Sequence, residues 1–182
     1  MDGDLGDWPA SAPLLLDAST ANTVWGAVPA FNDVHALVRS AWDETALYFA
    51  FWVTDDQAVA DSRDLEDDDG VELGLDGLGD EQPGGADDHQ VRVTADGRAL
   101  DGAGSAPWLA VAVRQVAGGY QVELAVPAAQ LGWEAFRAGG SLRFNVALRD
   151  DDDGRWVDST LIWEGDCTNC SSPAYGYLWL AN

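Results

Sequence analysis

The sequence predicts an all-β protein, an antiparallel β-sandwich of about ten strands with very little helix. Two observations predict it. Apolar and polar residues alternate in many short segments, which is typical of strands with one face towards a core and one towards water. Turn-forming clusters of Gly, Asp and Pro separate these segments, and no helical periodicity that could supply crossover helices lies between them.

The alternating segments follow one another along the chain, and each places every second residue on an apolar face. They are residues 46–53, 71–75, 91–93, 109–113, 120–126, 142–148 and 178–180. The sequence Ala117-Gly118-Gly119 predicts a hairpin turn between two of them. Only the segment from Pro127 to Leu131, with proline at its first position, predicts a helical turn.

Length and composition predict a single domain over residues 1–182. A chain of 182 residues with 47% hydrophobic residues can fill one substantial core, which excludes intrinsic disorder. The sequence contains no linker and no internal repeat. We therefore expect one sandwich and a monomer.

The charge of the chain excludes several classes of partner. Nine basic residues, all of them Arg, stand against 32 acidic ones and give a formal net charge of −23. Nucleic acid and anionic lipid would both repel such a surface. The longest apolar run, 46–53, is far shorter than the roughly 20 residues of a membrane-spanning helix. We expect neither nucleic acid nor a membrane as partner.

Cys167 and Cys170 are the only cysteines and form a Cys-x-x-Cys pair. One such pair has too few ligands for a structural zinc site, and no helical periodicity of a redox motif follows it. A disulfide that closes a tight loop is the favoured interpretation, and it indicates an oxidising compartment. We therefore expect a secreted protein. No signal peptide is visible at the start of the sequence, so we expect that Met1 replaces a removed leader.

Short motifs occur in a fixed order along nearly the whole chain. They are Asp2 to Trp8, Trp42 to Tyr48, Thr54-Asp55-Asp56, Asp69 to Leu73 with Asp76, Gln90 to Val93, Gly118 to Glu123 with Pro127, Phe144-Asn145-Val146 with Asp150, Trp163, and Tyr175 to Leu178. In this order the chain resembles family 9 carbohydrate-binding modules. The resemblance implies a jelly-roll-like sandwich that binds sugars without cleaving them. It also implies attachment to a secreted hydrolase and a plant-type polysaccharide, such as cellulose or xylan, as the partner.

Polar residues on two of the predicted strands form a candidate sugar site. Glu72 alternates with apolar residues, as do Gln90 and Arg92 on the next strand, so all three project away from the apolar face. Carboxylate, amide and guanidinium groups together can hydrogen-bond sugar hydroxyls. Asp55, at the end of another strand, is a further candidate. The resemblance implies that Asp55, Glu72 and Arg92 contact sugar hydroxyls; the alternative is a surface ion pair between Glu72 and Arg92.

Aromatic residues are the second part of a sugar site, because a pyranose ring packs against an aromatic face. Well-studied members of the family hold the sugar between two Trp, but the matching regions here, 64–69 and 167–173, contain none. Replacement candidates next to predicted loops are Trp108, Trp156 and Tyr175, with Trp25 as a fourth. Three others, Trp42, Trp52 and Trp163, are assigned to structure.

Acidic clusters suggest a metal site. Residues 150–154 read Asp-Asp-Asp-Asp-Gly, but the twelfth position from Asp150 is Leu161, where an EF-hand would have Glu. The resemblance implies structural calcium, and hard oxygen ligands are plentiful. We expect one or more Ca²⁺ ions, with Asp150, Asp151 and Asp153 as candidate ligands.

Two other functions stay open. A glycoside hydrolase could use the carboxylates of Asp55 and Glu72 as its acid and base or nucleophile. An adhesion module could act at a surface through calcium bound to its acidic face. No serine nucleophile motif, histidine cluster or phosphate-binding loop supports any other chemistry. We expect a binding module without catalytic residues.

Overall fold

The computed structural model describes residues 1–82, 84–102, 104–166 and 174–181. Two antiparallel sheets face each other and bury one apolar core between them. The predicted β-sandwich is therefore confirmed. It has thirteen strands in this part of the chain, where the sequence predicts about ten. Cys167 and Cys170 lie outside the described residues, so the disulfide stays a prediction.

The first sheet has five strands, which are β1 (Leu14–Leu16), β3 (Val34–Trp42), β4 (Ala46–Asp55), β9 (Ala110–Val116) and β10 (Gly119–Pro127). They follow the order β1-β3-β4-β10-β9. The predicted hairpin turn joins β9 to β10, and all of β9 pairs with residues 119–125 of β10.

The second sheet has eight strands. They are β2 (Thr23–Gly26), β5 (Gly70–Asp76), β6 (Asp88–Thr94), β7 (Ala99–Asp101), β8 (Gly104–Ser105), β11 (Ser141–Asp150), β12 (Ser159–Ile162) and β13 (Gly176–Trp179). Seven of them follow the order β2-β12-β11-β5-β6-β7-β8. The eighth, β13, pairs with the first half of β11, while β12 pairs with its second half.

Helical structure in the described residues is limited to three short 3₁₀ turns, at Leu5–Asp7, Leu65–Asp67 and Ala128–Leu131. The last of these confirms the predicted helical turn. Pro127 lies just before the turn rather than in its first position, and Gly132, with φ of 74°, ends it in the left-handed conformation that glycine tolerates best.

The core forms because every strand with apolar alternation turns that face inward. Phe49 and Phe51 of β4, Val122 and Leu124 of β10, and Leu73 of β5 are all essentially excluded from solvent. No helix in the described residues is long and apolar enough to cross a membrane.

Candidate functional site

The side of the second sheet that points away from the core, called here the outer face, carries the candidate site. Residues directly opposite each other on neighbouring antiparallel strands share a face. Glu72 of β5 lies opposite Arg92 of β6, and Gly74 lies opposite Gln90. On the other side of β5, Arg149 of β11 lies opposite Gly70, two residues before Glu72. Glu72, Gln90 and Arg92 therefore lie together, with Arg149 beside them.

A network of ion pairs joins the middle of the outer face. Arg92 Nε donates to Glu72 Oε1 at 2.7 Å, and Arg92 Nη1 donates to Glu66 Oε1 at 3.0 Å. Arg149 Nε donates to the same oxygen of Glu72, and its Nη1 donates to the backbone carbonyl of Glu66 at 2.9 Å. One carboxylate thus orients two guanidinium groups, which fixes the direction of their remaining N–H donors.

Glu72 and Arg92 do form an ion pair, but it is buried and differs in this respect from the surface pair considered as the alternative to sugar binding. Only 2% of Glu72 and 4% of Arg92 are exposed. The cause is the 3₁₀ turn Leu65–Asp67, which brings Glu66 against both Arg92 and Arg149. The side chain of Glu66 itself is 60% exposed and that of Arg149 is 18% exposed. These two side chains carry the network to the surface.

Tyr175 lies close to this network. Its carbonyl oxygen accepts a hydrogen bond from Arg143 of β11 at 3.5 Å. Burial raises the pKa of the Tyr175 hydroxyl to about 12, and the negative charges of Asp88, Glu72 and Asp76 add to the shift. The backbone of Tyr175 thus lies beside Arg143, which shares the outer face with Glu72. A contact of Tyr175 with sugar stays a prediction.

The other candidate aromatics lie elsewhere. Trp108 packs against the core, with its ring 4.8 Å from that of His89, which lies opposite Leu75 on the inner side of the sheet. Trp156 is exposed in the loop between β11 and β12. Trp25 lies opposite Thr160, which lies opposite Arg149, so it is on the outer face near the edge of the sheet.

The three tryptophans assigned to structure have structural contacts. Trp163 packs with its ring 4.8 Å from that of Phe144, and Trp42 donates its indole N–H to the carbonyl of Ala181 at 3.1 Å. Trp52 lies under the guanidinium of Arg39. None of these contacts is on the outer face of the second sheet.

Asp55 belongs to a different cluster, at the end of the sandwich. It ends β4, while Asp69 precedes β5 and Asp150 ends β11. Carboxylate oxygens of the three residues, called here the aspartate trio, lie within 4.8 Å of one another, and each residue is at most 2% exposed. Asp55 and Glu72 thus lie on different sheets and in different clusters, an arrangement that offers no support for a hydrolase acid–base pair.

Burial and mutual repulsion disfavour the charged forms of the trio. Burial raises the pKa of Asp69 to about 9, with the charge of Asp55 as the next cause. Burial likewise raises the pKa of Asp150 to about 7 and that of Asp55 to about 6. Two buried oxygens have no hydrogen-bond partner within the described residues: Asp55 Oδ2 and the hydroxyl of Tyr120. Burial and the charges of these carboxylates raise the pKa of the Tyr120 hydroxyl.

These features fit a bound cation. Three buried carboxylates with an unpartnered oxygen supply hard oxygen ligands, which Ca²⁺ prefers. A divalent ion would stabilise the ionised carboxylates, which burial and mutual repulsion otherwise disfavour.

Further carboxylate groups adjoin the trio on the same loops. Asp68 and Asp151, next in sequence to Asp69 and Asp150, form a group with Asp61, and Asp151 also forms one with Asp153 and Asp158. Asp151 Oδ2 is buried without a partner in the described part of the chain. The predicted ligands are therefore divided: Asp150 is in the trio, and Asp151 and Asp153 are in neighbouring groups.

Sequence reasoning missed several residues of the site. Arg149 and Arg143 alternate with Phe144, Val146 and Leu148 on β11, so the same alternation that identified Glu72 could have placed them on the outer face. Asp69 stands out in the sequence as part of the family motif and of the acidic run 67–69, but neither feature groups it with Asp55 and Asp150. No sequence signal identifies Glu66, because its position depends on a loop.

Comparisons with known proteins agree with this architecture. The family model described as carbohydrate family 9 binding domain-like matches residues 6–181. A family 9 carbohydrate-binding module from Caldicellulosiruptor kristjanssonii in complex with cellotriose has a similar structure, with a TM-score of 0.83 and 19% identity. That match covers 99% of this chain and 88% of the other.

A second family 9 module from the same organism, in complex with glucose, has a TM-score of 0.74 and 20% identity over 90% of this chain and 87% of the other. At these identities the two structures show a shared fold. No curated protein sequence matches the chain. Since the family model spans nearly all of the sequence and the fold agrees, the chain belongs to the family 9 carbohydrate-binding domains.

Proposed function

We propose that this protein is a non-catalytic module that binds neutral oligosaccharides on the outer face of its second sheet. The observation that carries the proposal is the network of Glu72, Arg92 and Arg149. A carboxylate that orients two planar guanidinium groups provides a preorganised set of donors, and neighbouring sugar hydroxyls can accept from such a set in pairs.

Each residue has a distinct role in this proposal. Glu72 and Arg92 form the buried base of the site, and Arg149 and Glu66 present a donor group and an acceptor group at the surface. Gln90, two residues before Arg92 on the same face of β6, adds an amide, and Tyr175 adds an aromatic ring. Trp156 stays a candidate because it is exposed and next to a loop, whereas Asp55 and Trp108 are better explained by the aspartate trio and the core.

The charge of the chain and the ligands of the two similar modules support a neutral sugar as the partner. A net charge of −23 disfavours acidic polysaccharides, whereas neutral glucans and xylans are not repelled. The similar modules carry cellotriose and glucose. We infer a plant-type polysaccharide or its oligosaccharides as the ligand, and a secreted polysaccharide hydrolase as the parent or neighbour.

We also propose that the aspartate trio holds a structural Ca²⁺ ion. Asp55 and Asp69 flank residues 56–68, the segment that carries Glu66. A cation bound between them would fix both ends of this segment, and so the position of Glu66 over Arg92 and Arg149. Calcium would then support sugar binding without touching the sugar.

Calorimetry tests the proposal. Wild-type protein is titrated with gluco-, xylo-, manno- and galacto-oligosaccharides, with and without Ca²⁺, and the products are examined for hydrolysis. We expect saturable binding of at least one neutral series without product. Arg149→Gln should weaken it about tenfold, whereas Arg155→Gln, at a 73% exposed side chain, should not.

The outcomes separate the alternatives. Product formation would show an enzyme. Absence of binding to every sugar and to insoluble polysaccharide would contradict the proposal, and would favour the adhesion module that the aspartate groups around Asp151 could support through calcium.

A further inference from the structure

Two large aromatic side chains are exposed at the end of the second sheet that is farthest from the aspartate trio. Tyr177 and Trp179 are 53% and 66% exposed. They alternate with Leu178, which is partly buried, and Leu180, which is 1% exposed. Their outward direction is therefore imposed by strand geometry and by the apolar residues between them.

The register places both rings on the outer face. Tyr177 lies opposite Arg143, and Arg143 lies opposite Asp76, which is four residues after Glu72 on β5 and so on the same face. Trp179 lies opposite Ser141, two residues further from Glu72 along the sheet. The aromatic pair is thus a continuation of the candidate sugar site along the sheet.

Tyr177 is held in place by a buried residue. Arg143 Nη2 donates to the Tyr177 hydroxyl at 2.8 Å, and its guanidinium carbon lies 4.5 Å from the centre of the Tyr177 ring. The same nitrogen is paired with Glu81, whose side chain is 45% exposed. A fixed ring bordered by an exposed carboxylate combines an apolar surface with a hydrogen-bond acceptor.

The strand end that carries Trp179 is also fixed. Leu180 N donates to the Gly140 carbonyl at 2.9 Å, and Trp42 donates to the carbonyl of Ala181. The ring centres of Tyr177 and Trp179 are 6.1 Å apart with planes 30° apart, so the two rings form one continuous strip. Within the described residues the indole N–H of Trp179 has no acceptor, unlike that of Trp42.

We propose that Tyr177 and Trp179 bind additional pyranose rings of an extended, uncharged polysaccharide whose first unit occupies the candidate sugar site. This inference rests on the proposed function and adds the preference for long chains. The apolar face of a sugar packs on an aromatic plane. The indole N–H of Trp179, which has no acceptor among the described residues, and the carboxylate of Glu81 suit hydroxyl groups.

The charge of the protein favours this occupant over a second copy. Exposed aromatic patches mark interaction surfaces, but two copies would each carry a net charge of −23 and repel each other. A neutral polysaccharide meets no such repulsion.

The test compares ligand lengths. Wild type, Trp179→Ala and the control Phe31→Ala, whose ring is 61% exposed near the opposite end of the sandwich, are titrated with the best-bound sugar series, from the monosaccharide to the hexasaccharide. We expect wild-type affinity to rise with length. Trp179→Ala should bind the monosaccharide like wild type and bind the hexasaccharide about tenfold more weakly. Phe31→Ala should behave as wild type.

Each outcome is decisive. If wild type binds no sugar, the proposed function fails and this inference fails with it. If wild type binds sugars but all lengths bind equally, or Trp179→Ala follows wild type at every length, only the inference is overturned. A dimer seen by sedimentation equilibrium and lost in Trp179→Ala, with unchanged sugar binding, would assign the surface to a second copy and also overturn it.

Discussion

Glu72 and Arg92 face each other across β5 and β6 with 2.7 Å between Glu72 Oε1 and Arg92 Nε, and both are almost completely excluded from solvent. The attraction between buried charges is offset by the cost of removing them from water. Loss of one partner, however, leaves the other charge buried. The stability of the base of the candidate site therefore depends on both Glu72 and Arg92.

Arg92→Ala should lower the free energy of unfolding by about 3 kcal/mol, the lower end of the range for a broken buried pair, because Arg149 still contacts Glu72. Urea denaturation measures the loss. Arg155→Ala, whose guanidinium is exposed and 3.8 Å from Asp153, is the matched control and should change stability by less than about 0.5 kcal/mol. Equal midpoints for the two variants would contradict the buried pair.

The strand pattern predicted much of the fold for a simple physical reason. Strands buried on one face repeat every two residues, so β4, β5, β6, β9, β10, β11 and β13 are visible as alternating segments. Strand β3 is not visible in this way: Val34, Ala36 and Val38 alternate on it, but Ala36 weakens the apolar signal. Strands β1 and β12 have only three and four residues, too few to show a period.

The site was predicted only where it depends on alternation within a strand. Glu72, Gln90 and Arg92 follow from that alternation, and the register confirms that they share a face. The burial of Glu72 does not follow from the alternation, because it depends on a loop that covers the sheet. The grouping of Asp55 with Asp69 and Asp150 could not be predicted either, because it joins the ends of strands from two sheets.

The calcium-free protein should become less stable as the pH rises from about 4 to about 9. Asp55, Asp150 and Asp69 have pKa values raised from 3.8 to about 6, 7 and 9. The folded state therefore binds more protons than the unfolded state within this window, and stability falls as the pH increases. Thermal melts in EDTA across this range measure the trend.

Added Ca²⁺ should reverse this trend, because a cation stabilises the ionised trio and binds only the folded state. The rise in melting temperature caused by Ca²⁺ should be larger at pH 8 than at pH 5. A Ca²⁺ effect that is absent at both pH values would exclude the proposed ion.

Asp69→Asn should have opposite effects with and without calcium. At pH 8 the wild type has to keep this buried carboxyl protonated in the folded state, whereas asparagine is neutral without binding a proton, so in EDTA the melting temperature of the variant should exceed that of the wild type. The substitution also removes a ligand, so the increase on adding Ca²⁺ should largely disappear. Asp7→Asn, at an exposed position, is the control and should leave both melting temperatures unchanged. A variant that responds to Ca²⁺ like the wild type would place the ion elsewhere.

Cys167 and Cys170 should be linked to each other in protein made in an oxidising host. A loop this short gives little entropic stabilisation, so the bond should fix local shape and leave the melting temperature of the domain almost unchanged on reduction. Intact mass before and after reduction measures the state of the pair. Two free thiols before reduction would refute the prediction.

Glu123 should hold the N-terminal segment against the first sheet. Only 4% of Glu123 is exposed. Its Oε2 accepts hydrogen bonds from the backbone N–H of Asp2 at 2.8 Å and from that of Gly3 at 2.7 Å. Its Oε1 accepts one from the indole N–H of Trp8 at 2.8 Å. Bonds to a charged acceptor contribute about 1.5–3 kcal/mol each and are not additive. Glu123→Ala should therefore lower the free energy of unfolding by about 3 kcal/mol.

The loss should be accompanied by release of residues 1–8, because all three donors belong to this segment. Limited proteolysis followed by mass spectrometry should show rapid cleavage within residues 1–8 in Glu123→Ala and not in the wild type. Glu134→Ala, at an exposed glutamate, should match the wild type in both measurements. Glu123→Gln should be intermediate, because its amide retains one acceptor oxygen while its NH₂ group faces N–H donors. Protection of the segment in Glu123→Ala would show that its other contacts, such as the ion pair between Asp4 and Arg114, hold it without the carboxylate.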